Sequence, residues 1–193
     1  MDKMTVYRSA LALVDGKDYV ENSPTQDPLD LFYPQVLRYA NARYNWSFTR
    51  AAKTIRREET SPLPNTSAFK LPADVLNIQY IRDAAGRRVN TVQILGSQRI
   101  LLTEPAGTIT LVYTSDKIAV DQELPDSSPE FCQAVICLLA ARIAPKIQGT
   151  AQNVAGLEAM AEQEFMKALT RDTQQEASND QNPLPAILDR RAW

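Results

Sequence analysis

The apolar residues of this chain change period twice. Between Thr5 and Arg43 they recur every three to four residues, between Trp46 and Thr114 they tend to alternate, and from Ser127 to Thr173 the helical spacing returns. A helix buries a stripe and a strand buries every second residue, so the two kinds of segment need differently shaped neighbours. Thr5 to Val14 reads as a short helix ended by Gly16. Asp27 and Pro28 suit the N-cap and first position of a second helix, with a stripe through Leu31, Val36, Tyr39 and Arg43. Pro34 is expected to kink it or to leave a 3₁₀ turn before residue 35. Ser127 and Glu130 stand in capping-box spacing ahead of Phe131, Val135, Leu138 and Ile143. Val154, Leu157, Ala161, Phe165 and Ala168 mark a last helix reaching Thr173.

In the middle, a weak strand runs from Phe48 to Arg56, with Trp46 and Phe48 on one strand face. Val75 to Arg82 and Val89 to Leu95 flank an Asp83-Ala84-Ala85-Gly86 turn. Arg99 to Thr103 and Thr108 to Thr114 flank Glu104-Pro105-Ala106-Gly107. This spacing predicts an antiparallel meander of four or five strands. Residues 174–182 are polar. Beyond them Leu184, Ile187, Leu188 and Trp193 are apolar in a segment that Pro183 and Pro185 keep extended. The expected fold class is therefore α+β. Helix pairs at 1–45 and 127–173 form a four-helix cluster, a β-meander domain at 46–126 is inserted between them, and 174–193 is an extended tail.

Composition narrows the chemistry. The 193 residues contain no histidine, which excludes Ser-His-Asp and Cys-His nucleophile systems and any histidine-containing zinc site. Two cysteines cannot build a four-thiolate site. Cys132 and Cys137, five apart on a helix, face different sides, so they are expected to be buried thiols in a reducing compartment. The apolar stretch Ala10–Val14 is too short for a signal-peptide core, and the run Ala134–Ala141 falls well short of the ~20 residues a bilayer needs. No phosphate-binding glycine loop and no carboxylate pair at usable spacing is present; Asp121, Glu123, Asp126 and Glu130 lack the pattern of a calcium loop. No cofactor and no catalytic site is expected.

Two sets of residues invite a partner. Arg50, Lys53, Arg56 and Arg57 form a basic cluster. Strand alternation puts Arg50 and Arg56 on one side, Lys53 and Arg57 on the other, with Glu58 and Glu59 next in the chain. A solvated edge or a polar subunit contact is the expectation there, shared with Arg87 and Arg88 by the Asp83–Arg87 hairpin tip. A formal net charge of −2 argues against a chain whose purpose is to grip nucleic acid. The second set is the tail, where Leu184, Ile187, Leu188 and Trp193 have the look of a docking peptide.

Several segments, in order, resemble the tail tubular protein A-like head–tail adaptor proteins of short-tailed bacteriophages. Tyr33 to Tyr44 followed by Trp46-Ser47-Phe48-Thr49 is similar to a helix leading through Trp-x-Phe into the β-domain. Phe69-Lys70-Leu71-Pro72-Ala73-Asp74-Val75-Leu76 resembles the family's aromatic-x-Leu-Pro-x-Asp segment. Gly107 to Tyr113 looks like the last strand, and Leu124-Pro125 with Phe131, Ala134, Leu138, Leu139 and Ala140 resembles the helix that follows. The resemblance covers roughly residues 28–170. It implies a virion structural protein at the head–tail junction, made in the host bacterial cytoplasm. Such proteins form a ring, usually of twelve copies, beneath the portal protein. The ring extends the DNA channel, through which duplex DNA passes without specific binding, and provides a platform for the tail nozzle protein. The family has no catalytic residues to carry over. A different reading makes the β-domain a small-molecule or glycan-binding module, using Trp46, Tyr80 and Tyr113 as surface aromatics.

Overall fold

A computed structural model describes residues 1–15, 20, 24–59, 61, 66–89, 92–95, 99–102, 107–147 and 153–181. Within them lie five helices: α1 (Lys3–Val14), α2 (Gln26–Arg43), α3 (Lys117–Asp121), α4 (Pro129–Ile147) and α5 (Val154–Gln181). Seven strands accompany them: β1 (Arg50–Arg56), β2 (Ser67–Lys70), β3 (Val75–Asp83), β4 (Arg88–Val89), β5 (Val92–Leu95), β6 (Arg99–Leu102) and β7 (Thr108–Ser115). The fold is α+β, with antiparallel strand pairing.

Helix α4 is apolar around most of its circumference, and twelve of its residues are buried. A helix with that pattern needs neighbours on several sides; α1, α2 and α5 supply them. The Asp2 carboxylate caps α1 by accepting the Thr5 amide at 2.9 Å. Helix α1 then buries Val6, Tyr7, Ala10, Leu11 and Val14. An aromatic cluster ties the helices to the start of the β-structure. The Trp46 ring lies 5.2 Å from Phe131 and 6.3 Å from Phe165, and stacks on Phe48 at 5.6 Å. The indole N–H of Trp46 donates to the Ala40 carbonyl at 2.8 Å. Truncating a ring such as Phe131, which has no exposed surface, costs about 3–5 kcal/mol.

A separate apolar cluster serves the strands: Phe69, Leu71, Ile81, Ile100, Ile109, Leu111 and Tyr113. The strands form two sheets, one of four strands in the order β1-β7-β3-β4 and one of three in the order β2-β6-β5. The single meander is thereby corrected. Strand β7 lies between β1 and β3, and Ile109, Leu111 and Tyr113 share their face with Ala51 and Ile55 of β1 and Ile78 and Ile81 of β3, against Phe69, Leu71 and Ile100.

Other local expectations change as well. Trp46 and Phe48 do not sit in a strand: Ser47–Thr49 is a 3₁₀ turn, and both rings join the helical core. Helix α2 begins at Gln26 and continues through Pro34. Helix α4 begins at Pro129, so Ser128 rather than Ser127 precedes it, and the Glu130 carboxylate accepts from the Arg171 guanidinium at 2.8 and 3.0 Å. The short helix α3 was not expected; its Ala119, together with Leu124, belongs to the helical core. Residues 174–181 continue α5 instead of opening an extended tail, because Gln174, Gln175, Glu176 and Ala177 are good helix formers.

Candidate functional site

Strand β1 is one edge of the four-stranded sheet, and its register fixes where the basic cluster points. Arg50 pairs with Thr114, Thr54 with Thr110, and Arg56 with Thr108, whereas Lys53 pairs with Leu111. Side chains opposite one another share a face. Arg50 and Arg56 are thus on the face of Thr108, Thr110, Val112 and Thr114, and Lys53 is on the face of the apolar cluster, as alternation predicts. Arg57 lies past the last pair with β7. It bridges to Phe69 on β2, and its amide donates to the Gly107 carbonyl at 3.0 Å.

The hairpin joining β3 to β4 brings Arg87 and Arg88 to the opposite edge. Gly86 takes the left-handed conformation (φ 79°) that this turn requires, and its amide donates to the Asp83 carbonyl at 3.0 Å. The Asp83 carboxylate accepts from the amides of Ala85 and Arg87 and from Arg87 Nε at 2.8 Å. The Arg87 amide, with the Arg87 guanidinium and the Ala85 amide, holds the Asp83 carboxyl below the usual carboxylate range against the opposing effect of burial. Arg87 is therefore engaged within its own turn. Arg88 stands directly across from Arg82, and both guanidinium groups lie over the Tyr80 ring, at 5.4 and 5.3 Å.

The two faces of the sheet differ in chemistry. On the covered face, Asp74 accepts from the Tyr113 hydroxyl at 3.1 Å and the Ser115 hydroxyl at 2.7 Å. Burial pushes the Asp74 carboxyl up. The bond from Ser115, its own backbone amide, the bond from Tyr113 and the charge of Lys53 outweigh this and hold it below the usual range. Burial, then the bond to Asp74 and its charge, push the Tyr113 phenol up to about 12. The other face, buried at Val112 and Thr114 but not at Thr108 and Thr110, carries links through neutral side chains. Arg50 Nε donates to Gln79 Oε1 at 2.9 Å, Gln79 Nε2 donates to Thr114 Oγ1 at 3.3 Å, and Asn77 Nδ2 donates to Asn45 Oδ1 at 3.2 Å.

The aromatic residues of the small-molecule reading are not surface groups. Trp46 has no exposed area, Tyr113 is 3% exposed, and Tyr80 is half-buried beneath two arginines. A cavity of about 250 Å³ lies instead between α2 and α4, lined by Phe32, Gln35, Val36, Tyr39, Leu138 and Arg142. Both thiols are free and buried, and burial raises their pKa values. Among the described residues, no group of three or more Cys, Asp or Glu side chains is placed to hold a metal ion, and no helix is long and apolar enough to cross a membrane. Leu184, Ile187, Leu188 and Trp193, the expected docking peptide, lie outside the described residues, as do three residues of the second turn, Glu104, Pro105 and Ala106.

Sequence reasoning missed Arg82 as a member of the basic set. Alternation with the buried Ile81 gives its facing, but its place beside Arg56 depends on the non-local pairing of β3 with β7. No protein-family model matches the chain, and no curated protein matches it.

Proposed function

We propose that this chain is a head-to-tail adaptor of a short-tailed bacteriophage, a virion structural protein without a catalytic site. In this reading the helices form a four-helix cluster carrying an inserted β-domain. About twelve copies close a ring beneath the portal protein, and the ring extends the DNA channel and supports the tail nozzle. One observation carries the reading. The segments that resemble the adaptor family are the ones that join the two halves of each core: Trp46 meets Phe131 at 5.2 Å, and Asp74 accepts from Tyr113 at 3.1 Å. A resemblance seated on core contacts reports a shared fold more strongly than one scattered over loops.

Ring closure requires a heterologous contact, in which one side of a subunit meets the other side of the next. Exposed apolar side chains on the helices offer such sides: Leu31 is 59% exposed and Tyr39 49% on α2, and Met160 and Met166 are similarly exposed on α5. Leu184, Ile187, Leu188 and Trp193 are assigned to docking on the portal. Deleting residues 183–193 should leave a folded protein that no longer co-sediments with portal rings. A truncated chain that still co-sediments at full strength contradicts that assignment.

A further inference from the structure

We infer that the accessible end of the polar face of the β1-β7-β3-β4 sheet, around Thr108 and Thr110, is a contact surface for the phosphate backbone of duplex DNA. The charge of the chain is unevenly placed. Between Trp46 and Ser115 there are nine Lys and Arg against five Asp and Glu, whereas the remainder carries twelve against eighteen. Strand register concentrates the excess. Arg50 and Arg56 from β1, Arg82 from β3 and Arg88 from β4 all fall on the face of Thr108 and Thr110. All four arginines are exposed. No carboxylate holds a register position on this face: Asp74 lies under the sheet, Asp83 is folded onto its turn, and Glu58 and Glu59 follow the last β1–β7 pair.

Arg56, Arg82 and Arg88 form the compact part. Arg56 and Arg82 are separated by two strand spacings and two residues, roughly 12 Å, and Arg88 is directly opposite Arg82. Among the described residues none of the three is bonded to a carboxylate. Stacking on Tyr80 holds two of the guanidinium planes without using their donors, and Thr54, Thr108 and Thr110 add hydroxyl groups between them.

The face favours phosphate over protein. Protein-binding hot spots cluster in desolvated pockets with apolar or aromatic neighbours, but here Arg56, Arg82 and Arg88 are exposed, Val112 is 6% exposed and Tyr80 is covered by arginine. Arginine and threonine without an apolar centre is the composition that positions a nucleic-acid backbone and carries no sequence preference. Three or four such contacts give weak, salt-sensitive binding, which lets DNA be guided and still slide. The choice of duplex DNA as the polyanion rests on the adaptor reading.

The test is fluorescence anisotropy of the full chain with a labelled duplex of mixed sequence over a salt series. Wild type should bind with a log–log salt slope of about −3 to −4. The triple variant Arg56→Gln, Arg82→Gln, Arg88→Gln should reduce that slope by about three and weaken binding equally on all sequences. The matching Arg→Lys variant should keep most of the binding, which separates lost charge from lost fold. A Lys53→Gln, Lys70→Gln control should bind like wild type. The inference is overturned if the triple Gln variant binds DNA as wild type does, or if wild type ignores the duplex. It is also overturned if wild type prefers a polyglutamate peptide with the same arginine dependence, which would make the face a protein contact. Ring assembly on portal is scored separately. Variants that assemble but show unchanged DNA binding sink this inference alone, and failed assembly with intact DNA binding sinks the adaptor reading alone.

Discussion

Asp172 on α5 holds Ser47 at the point where the chain leaves α2 for the sheet. Its carboxylate accepts the Ser47 amide at 2.9 Å and also the Ser47 hydroxyl. Asp172 is 6% exposed, and its carboxylate satisfies the first amide of the 3₁₀ turn that delivers Trp46 and Phe48 to the helical core. A residue 125 positions away in sequence thereby sets the path between helices and strands. Replacing it removes two bonds and leaves a half-buried amide without that acceptor. Asp172→Ala should cost about 1–3 kcal/mol in urea denaturation. A change within about 0.5 kcal/mol, the range of ordinary surface substitutions, would show that the contact has no structural weight.

Asn41 presents the opposite case. It has no exposed area, and among the described residues neither its amide nitrogen nor its amide oxygen has a hydrogen-bond partner. A buried, unsatisfied amide costs about 1–3 kcal/mol, so removing it offsets the packing lost with the side chain. Asn41→Ala should be at least as stable as wild type, and Asn41→Leu should be tolerated. A drop of more than about 2 kcal/mol in the alanine variant would mean that the amide is satisfied in solution.

The sheet core should make the protein sensitive to alkali. The folded-state pKa of Tyr113 is pushed up to about 12 from 10.0, so its contribution is fully present below about pH 10 and is lost as pH rises toward 12. Burial raises Tyr33 in the same direction. Asp74 has the opposite sign: its folded pKa is depressed, so its contribution is present above about pH 4 and is lost on further acidification. Tyr113→Phe should flatten the fall of melting temperature between about pH 10 and 12, while lowering stability at neutral pH by roughly 1 kcal/mol for the lost hydrogen bond. An unchanged alkaline slope would count against the Tyr113–Asp74 pairing.

Cys132 and Cys137 are both buried and have raised pKa values, so little thiolate is exposed to attack. An aromatic disulfide reagent should titrate neither thiol in the native protein at neutral pH and both after denaturation. Rapid native reaction of either would place it outside the α4 core.

How far the sequence reveals this structure depends on the range of the interactions involved. Helices α1, α2, α4 and α5 were legible because their periods are local: Val6 and Ala10, or Leu157 and Ala161, lie one helical turn apart, but on α2 the expected stripe is corrected, since Leu29, Tyr33, Val36, Leu37 and Ala40 form the buried face and Leu31 and Tyr39 are exposed. Helix α3 was not, since five residues are too few to display a period. The partner of a strand is non-local. Nothing in Thr108 to Ser115 states that it separates β1 from β3, so the meander expectation failed there. The same limit hid the arginine face. Arg50 and Arg56 could be placed by counting along β1, but Arg82 joins them only through the pairing of β3 with β7 and Arg88 only through a hairpin. Tyr113, expected at the surface as a ligand aromatic, is instead pinned under the sheet by Asp74, an interaction across 39 residues that composition cannot suggest.

The central claim is the ring. Its most direct measurement is the light-scattering mass of the full chain with and without candidate portal rings, read beside electron micrographs of the same samples. The adaptor reading predicts a discrete added mass of about twelve chains per portal and an annulus continuous with the portal channel. A chain that stays separate from every portal and forms no annulus would contradict it.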